Sequence, residues 1–312
     1  MLSQQRFPHA LLLEGMQGVG KKLFAFQLAQ MLLCHGESET GICQNCKSCE
    51  WFIANTHPDF VVLEPEEGKK LISIEAVRKS SQRVFTTAHQ DGYRILIIEP
   101  ADAMTIAAAN SLLKTLEEPP EQTLLLLITD KPSRLLPTIR SRATRIKFHL
   151  PSQNDAIHWL TSQGIAKNTA QTILALSLGA PLRFNLEPDK VDDLIAASSQ
   201  WWHDFLALHK KQKSALEIAK NWAKSDSDTL LNWLDTLIQA LIRSGVEPEA
   251  GLSEDSVQTM HLYPGIEQLS EDFELRKLFA LRDNVIELSQ QQKNSLNWPL
   301  QIESLVNQCQ HL

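Results

Sequence analysis

The sequence has no long apolar segment. Its longest uninterrupted apolar run is 124–128, whereas a transmembrane helix needs about 20 consecutive apolar residues. The N-terminus also lacks the basic, long-apolar and small-residue regions of a signal peptide. With 43% hydrophobic and 21% charged residues, the composition is that of an ordinary globular protein. We therefore predict a soluble, cytoplasmic protein of two or three domains.

The sequence also lacks an excess of positive charge. The formal net charge of the 312 residues is −7. The part up to residue 186 carries 19 basic and 17 acidic residues, and the remainder carries 11 and 20, a net charge of −9. A protein that binds DNA by itself usually presents a basic face to the phosphates. The composition therefore argues against strong independent DNA binding.

A glycine-rich segment at 15–22 lacks one functional residue of a phosphate-binding loop. It follows the apolar run 10–13, precedes a predicted helix from 23 to about 33, and matches G-x-x-x-x-G-K. In such a loop, backbone N–H groups bind phosphates, the lysine reaches the terminal phosphates, and a final Ser or Thr ligates Mg²⁺. The final residue here is Lys22, which cannot ligate a metal and would lie where Mg²⁺ belongs.

The acidic pair of an ATPase is also incomplete. The buried strand predicted at 94–98 is followed by Glu99 and Pro100. The usual second acid polarises the attacking water, and proline has no basic side chain for this step. Thr129 follows the next apolar strand, 124–128, at the sheet edge where ligands bind. The residues predicted for a degenerate nucleotide site are Gly15, Gly18, Gly20, Lys21, Lys22, Glu99 and Thr129.

Four of the five cysteines fall within 16 positions, at Cys34, Cys43, Cys46 and Cys49. In a reducing compartment, clustered thiols indicate a metal site rather than disulfides, and four thiolates can complete a closed tetrahedral zinc site. The alternatives are unrelated free thiols and an iron–sulfur cluster, but the run does not continue with the Cys-Pro of ferredoxins. His57 is a possible substitute ligand, although a turn histidine beside proline more often has a structural role.

The order of predicted elements indicates an α/β fold followed by helices. Five candidate strands alternate with helices before Pro151, which is typical of a parallel five-stranded sheet with helices on both faces. We predict a nucleotide-binding-fold domain at 1–150 with a zinc-binding insert at about 34–49. A small helical unit is predicted at 151–188 and an all-helical domain with a tryptophan-rich core at 189–312.

Several motifs together resemble the bacterial clamp-loader ATPases of the AAA+ class. They are His9 to Leu12 before the loop, the four-cysteine segment, Asn110 to Pro120, and Ile139 to Arg142. The motif-level resemblance covers about 7–150, and beyond it only domain plan and length support the match. It implies that the helical parts are a lid and an oligomerisation collar. The altered loop and acidic pair resemble the members that do not hydrolyse ATP, unlike the gamma/tau subunit.

The resemblance also implies roles for single residues. Ser141 and Arg142 match the start of the family's Ser-Arg-Cys motif, so Arg142 would be an arginine finger that acts in trans on ATP bound to a neighbouring gamma/tau subunit. Ala143 replaces the usual cysteine at a position that we expect to be packing. Thr129 would be the sensor-1 residue, and Arg183 lies near the sensor-2 position. The alternative for Arg142 is a surface or capping residue.

The partners implied by the resemblance are the gamma/tau and delta subunits in a hetero-oligomer. Through that assembly the chain would reach the sliding clamp and primer-template DNA, as part of a DNA-directed DNA polymerase holoenzyme, a nucleotidyltransferase. ATP would not be hydrolysed by this chain. One alternative is an AAA+ ATPase or nucleotide sensor with an atypical site of its own. Another is a zinc-bearing DNA-binding protein, against which the acidic C-terminal part argues.

Overall fold

A computed structural model gives the structure of this chain. The described residues are 8–36, 38–39, 41–85, 92–184, 186–246, 262–270, 272–291 and 297–312. The chain divides into two compact units, 1–150 and 151–312. Among the described residues, none of the helices has the length and apolar character needed to cross a membrane. The predicted further division at residue 188 stays a prediction.

The first unit contains one five-stranded sheet. Its strands are β1 (Ala10–Glu14), β2 (Phe60–Leu63), β3 (Arg94–Ile98), β4 (Thr123–Thr129) and β5 (Thr144–Lys147). They lie in the order β2-β3-β4-β1-β5, and all four strand pairs are parallel. The central strands are almost wholly buried, as expected for a parallel sheet covered on both faces, whereas the edge strand β5 is mostly exposed. The predicted parallel sheet is confirmed.

Helices cover both faces of this sheet. They are α1 (Lys21–Leu33), α2 (Lys47–Ile53), α3 (Ile74–Phe85), α4 (Ile106–Glu117) and α5 (Pro137–Arg140). Successive strand residues point to opposite faces. Thus Leu12 and Leu96 join a core with α3, α4 and α5, while Leu11 and Ile97 join a core with α1 and α2. Because all the strand pairs are parallel, the carboxyl ends of the strands lie together at one edge of the sheet.

Helix α4 shows how local sequence defines an element of this unit. The Thr105 hydroxyl caps the helix by accepting a hydrogen bond from the backbone N–H of Ala108. Leu112 and Leu116, four residues apart, are buried on one side of the helix. The helix ends at Glu117, shortly before a Pro-Pro pair that cannot continue it.

The described residues of the second unit form helices and the loops that connect them, with no strand. Its helices are α6 (Gln153–Ser162), α7 (Lys167–Leu176), α8 (Pro188–His209), α9 (Ala215–Trp222), α10 (Ser227–Val246), α11 (Ile266–Ser270), α12 (Leu275–Gln291) and α13 (Trp298–Gln310). A small apolar cluster joins α6, α7 and the start of α8. A larger cluster contains the four buried tryptophans Trp201, Trp202, Trp222 and Trp233. The predicted tryptophan-rich core is confirmed.

Candidate nucleotide and metal sites

The glycine-rich loop connects β1 to α1. Its first residue, Gly15, follows the buried strand, and a Cβ atom there would lie 2.4 Å from the carbonyl oxygen of Phe148. Only glycine fits such a close backbone approach. The loop ends at Gly20, whose φ of 99° lies in the left-handed region, and α1 begins at Lys21. The loop therefore connects the buried strand β1 directly to the N-terminus of α1, and glycine is required at Gly15.

The lysine of the loop is bound to the loop itself. Lys21 Nζ donates hydrogen bonds to the carbonyl oxygens of Gly15 and Met16, at 2.7 and 2.6 Å. The side chain is buried, and this burial lowers the pKa of Lys21, against the opposing effect of nearby carboxylates. In this conformation Lys21 stabilises the loop, and its ammonium group is directed at backbone oxygens.

The second lysine lies between two carboxylates at the sheet edge. Lys22 Nζ is 2.9 Å from Glu99 Oε2 and 2.7 Å from Glu64 Oε1. Glu64 and Glu99 directly follow the neighbouring parallel strands β2 and β3, so both carboxylates reach the same edge. Burial opposes the charged form of Lys22, but hydrogen bonds with the two glutamates outweigh it and raise the pKa of Lys22. The Lys22 ammonium group thus offsets the charge of two carboxylates at this edge.

Thr129 and Asp102 form a second polar contact at this edge. Thr129 is buried at the end of β4, and its hydroxyl donates to Asp102 Oδ1 at 2.6 Å. The Thr129 hydroxyl oxygen, in turn, accepts a hydrogen bond from the backbone N–H of Lys131 at 3.0 Å. The single hydroxyl hydrogen is therefore already donated, and Thr129 orients Asp102 in this structure.

The ion pair between Glu14 and Arg145 was not predicted from the sequence. Glu14, the last residue of β1, is 4% exposed, and Arg145 on β5 contacts both of its carboxylate oxygens. The distances are 3.1 Å from Nε to Oε2 and 2.9 Å from Nη2 to Oε1. An acid at the end of a buried strand signals the need for a partner. The sequence does not identify that partner, which lies 131 residues away.

Arg142 lies on the surface beyond the short helix α5. Its Nη1 donates to the carbonyl oxygen of Thr138 at 3.1 Å, and its Nη2 is 2.8 Å from Glu117 Oε1 on α4. Ser141, also exposed, donates to the same Thr138 oxygen. Ala143 is buried in the core, which confirms the packing role expected for that position. The two contacts of Arg142 involve Nη1 and Nη2, two of the three nitrogens of its guanidinium group.

The four clustered cysteines converge in the structure. Cys34 follows α1, Cys49 lies in α2, and the sulfur atoms of Cys34, Cys43, Cys46 and Cys49 are all within 4.8 Å of one another. A tetrahedral zinc ion with Zn–S bonds of about 2.3 Å needs sulfur–sulfur distances of about 3.8 Å, so a small contraction suffices. Gly36 is required nearby, because a Cβ there would lie 2.4 Å from Cys43 Sγ. The donor set fits a structural zinc ion.

The electrostatics of the cysteines also suit a cation. The backbone N–H of His35 lowers the pKa of Cys46 to about 6, and the backbone N–H of Asn45 lowers that of Cys43. Burial raises the pKa of Cys49 to about 12. A bound divalent cation would compensate the burial of this last thiolate, because coordination favours the deprotonated form.

The remaining histidine and arginine candidates have internal partners. His57 is buried, burial lowers its pKa, and its ring contacts Ser48 and the backbone of Asp59, so it does not belong to the converging ligand set. Arg183 lies in the second unit, where its Nη2 donates to the side-chain oxygen of Asn232. The sensor-2 role of Arg183 stays a prediction.

Comparison with known proteins identifies relatives of this chain. A family model described as "DNA polymerase III, delta subunit" matches residues 1–152. The chain is 35% identical to DNA polymerase III subunit delta' of Pseudomonas aeruginosa, over 96% of this chain and 91% of that protein. It is 36% identical to subunit delta' of Escherichia coli, over 55% of this chain and 52% of that protein.

A similar solved structure is a DNA polymerase III gamma subunit-related protein from Thermotoga maritima, at 18% identity, with 92% of this chain and 95% of that chain covered. Its TM-score of 0.40 is too low to support an argument. The relationship rests instead on the Pseudomonas protein, which matches along nearly the whole length of both chains. The chain belongs to the family of DNA polymerase III delta' subunits.

Proposed function

We propose that this chain is a clamp-loader subunit that does not hydrolyse ATP and that completes the ATP site of a neighbouring gamma/tau subunit. It would act in the cytoplasm within a hetero-oligomer that also contains delta, and support ATP-dependent loading of the sliding clamp onto primed DNA. In this proposal 151–188 is a lid and 189–312 contributes to the oligomeric collar. The chain would be a non-catalytic component of a DNA-directed DNA polymerase, a nucleotidyltransferase holoenzyme.

The observation that carries the proposal is the position of Lys22. Its ammonium group lies within 2.9 Å of Glu99 and 2.7 Å of Glu64. A Mg²⁺ ion placed beside Glu99 would be repelled by this charge, and the position lacks the hydroxyl ligand that Mg²⁺ normally receives from the loop. Pro100 also replaces the residue that would polarise water. Both substitutions remove parts of the hydrolytic apparatus.

The exposed position of Arg142 supports a role in trans. Its ion pair with Glu117 joins side chains that are 37% and 52% exposed. Such a pair contributes only about 0–1 kcal/mol. A triphosphate, which carries more charge, would therefore compete successfully for the guanidinium group. In well-studied nucleotide hydrolases an arginine finger increases the rate roughly 10³- to 10⁵-fold.

Zinc has a structural role in this proposal. Cys34, Cys43, Cys46 and Cys49 would occupy all four positions of a tetrahedral ion, so no position is left for water or substrate. The ion would order a segment in which the described residues between α1 and α2 contain no helix or strand.

The decisive experiment measures the ATPase rate of a reconstituted clamp loader with the clamp and primed DNA present. Arg142→Ala should reduce the rate partially, because one ATP site loses its finger while the others remain. Arg134→Ala, which changes another exposed arginine, is the matched control and should leave the rate unchanged. Complex formation is checked by gel filtration. An unchanged rate for Arg142→Ala in an intact complex would reject the role in trans.

A second experiment tests the isolated chain. No Mg²⁺-dependent ATPase activity is expected, because the metal position is taken by Lys22. A robust rate that Lys21→Ala abolishes would reject the proposal. Saturable binding of ATP in Mg²⁺ at micromolar concentration would instead favour a nucleotide-sensing subunit with its own site.

A further inference from the structure

Two buried polar residues lie beside the cysteine cluster without belonging to it. Ser48 is 3% exposed and lies on α2 between Cys46 and Cys49. His57, which follows α2, is 2% exposed. Buried polar side chains are costly unless their hydrogen bonds are satisfied, so their partners are informative.

The hydrogen bonds of these residues form a directed chain. The backbone N–H of Asp59 donates to His57 Nδ1 at 3.1 Å, so a neutral ring carries its hydrogen on Nε2. His57 Nε2 is 2.8 Å from Ser48 Oγ and donates to it. The Ser48 hydroxyl in turn donates to the carbonyl oxygen of Leu33 at 2.5 Å.

This chain of hydrogen bonds connects the two segments that carry the first and last cysteines. Leu33 is the final residue of α1 and directly precedes Cys34, while Ser48 directly precedes Cys49. The hydrogen bond between them spans 15 positions of sequence. It therefore holds the end of α1, which directly precedes Cys34, against the turn of α2 that carries Cys49.

A further contact restricts the histidine. The Trp51 ring meets the His57 ring edge to face, with centroids 5.9 Å apart. Trp51 and Ser48 both lie on α2, so His57 contacts this helix through two different side chains. The imidazole therefore has a defined position from which to orient the Ser48 hydroxyl.

We propose that Ser48 and His57 are positioning residues for the metal site: their hydrogen bonds hold Cys34 and Cys49 at the spacing that a tetrahedral zinc ion requires. The metal-free chain then loses less conformational entropy when it binds zinc. Hydrogen-bonding residues outside the ligand set commonly change metal affinity about 10- to 100-fold. This inference concerns metal retention and is independent of the role of Arg142.

The test measures zinc affinity of the full-length chain by competition with a chromophoric chelator at pH 7. Ser48→Ala removes the hydroxyl that bonds Leu33 and should weaken zinc binding about 10- to 100-fold. Thr56→Ala is the matched control, because this exposed hydroxyl beside His57 bonds only weakly to Trp51 at 3.4 Å. The zinc affinity of Thr56→Ala should stay within about twofold of that of the unchanged chain.

A merely structural role is distinguished by comparing the loaded and metal-free chains. If Ser48 only stabilises the fold, Ser48→Ala lowers the stability of both forms equally and zinc affinity is unchanged, which would overturn the proposal. If Ser48 positions ligands, the loaded form loses more stability than the metal-free form. Cobalt substitution should still give a tetrahedral thiolate spectrum at saturation, reached only at higher cobalt concentration.

A conservative variant keeps the test decisive if Ser48→Ala fails to fold. His57→Gln retains a donor near the position of Nε2, so we expect a loss of affinity that is smaller than for Ser48→Ala but exceeds the limit of about twofold set for the control, up to about tenfold. Zinc affinity of His57→Gln equal to that of Thr56→Ala would overturn the proposal. Absence of any zinc binding by the unchanged chain would overturn it as well.

Discussion

The two ends of helix α1 carry the two motifs that stand out in the sequence, and they differ in how their polar groups are used. At its N-terminal end, Lys21 bonds to loop carbonyls and Lys22 pairs with Glu64 and Glu99. At its C-terminal end, Cys34 joins three other cysteines, and the four sulfur atoms lie within 4.8 Å of one another. The polar groups at the first end bond to one another or to the backbone, whereas those at the second end form a donor set that could bind a metal ion.

This difference separates a motif from a working site. In the glycine-rich loop, Lys21 donates to backbone carbonyl oxygens, and Lys22 pairs with the two carboxylates at the sheet edge. The cysteines receive weak hydrogen bonds such as that from the Cys43 N–H, 3.2 Å from Cys34 Sγ, and among the described residues no ion pair involves them. The bonding partners of the side chains therefore indicate a ligand site better than a match to a sequence motif does.

The largest effect is expected when one cysteine of the proposed zinc site is replaced. Cys49→Ser should reduce zinc affinity by more than about 100-fold and lower the melting temperature of the first unit, because structural zinc contributes binding free energy to folding. Cys309→Ser is the control, since this cysteine is buried in the core of the second unit. It should retain about one zinc ion per chain, measured by atomic emission. Equal zinc content in both variants would contradict the assignment.

A smaller effect is expected for the ion pair between Glu14 and Arg145. Arg145→Met should destabilise the first unit by about 2 kcal/mol at pH 7, because it leaves the buried Glu14 carboxylate without its partner and the exposed arginine limits the loss. Urea unfolding measures the change. Adding Glu14→Gln should recover part of it. Lys147→Met, on the same strand, is the control, and an equal loss there would contradict this explanation.

Removing the charge of Lys22 should strengthen metal-dependent nucleotide binding at the glycine-rich loop. Lys22→Ser supplies a hydroxyl ligand and frees Glu99, so we expect Mg²⁺-dependent nucleotide binding to strengthen about tenfold, or about 1.4 kcal/mol. Hydrolysis should remain absent because Pro100 is unchanged. Fluorescent ADP titrations with Mg²⁺ or EDTA measure the effect, and Lys22→Arg controls for retained charge. Equal affinities for the serine and arginine variants would show that the cation does not exclude metal.

The smallest predicted effect is the pH dependence of the stability that Lys22 contributes through its ion pairs with Glu64 and Glu99. Because the pKa of Lys22 is raised by folding, its contribution is fully present below the ordinary value of 10.5 and is lost as pH rises through the folded value. Lys22→Met should therefore cost a constant 0.5–1 kcal/mol, roughly, between pH 7 and 10, and less above that range. Urea unfolding at several pH values tests this, and a difference that disappears near pH 8 would contradict it.

The sequence predicted local features better than distant pairings. Buried parallel strands such as 94–98 and 124–128 are continuous apolar runs, and the four cysteines lie close in sequence, so both were recognisable. Lys22 and Glu64 are 42 positions apart, and Ser48 and Leu33 meet only after α2 folds against α1. Side-chain partners of this kind depend on tertiary geometry, which residue spacing does not encode.

The edge strand β5 has a consequence for association between chains. It lies at one end of the sheet, beside β1, and its residues Thr144, Arg145 and Lys147 are exposed. An uncharged exposed edge is a template on which a strand of another molecule can add and begin aggregation. Arg145 is held at this edge by its bond to buried Glu14, so the side chain that neutralises the interior also keeps a positive charge where an intruding strand would pair.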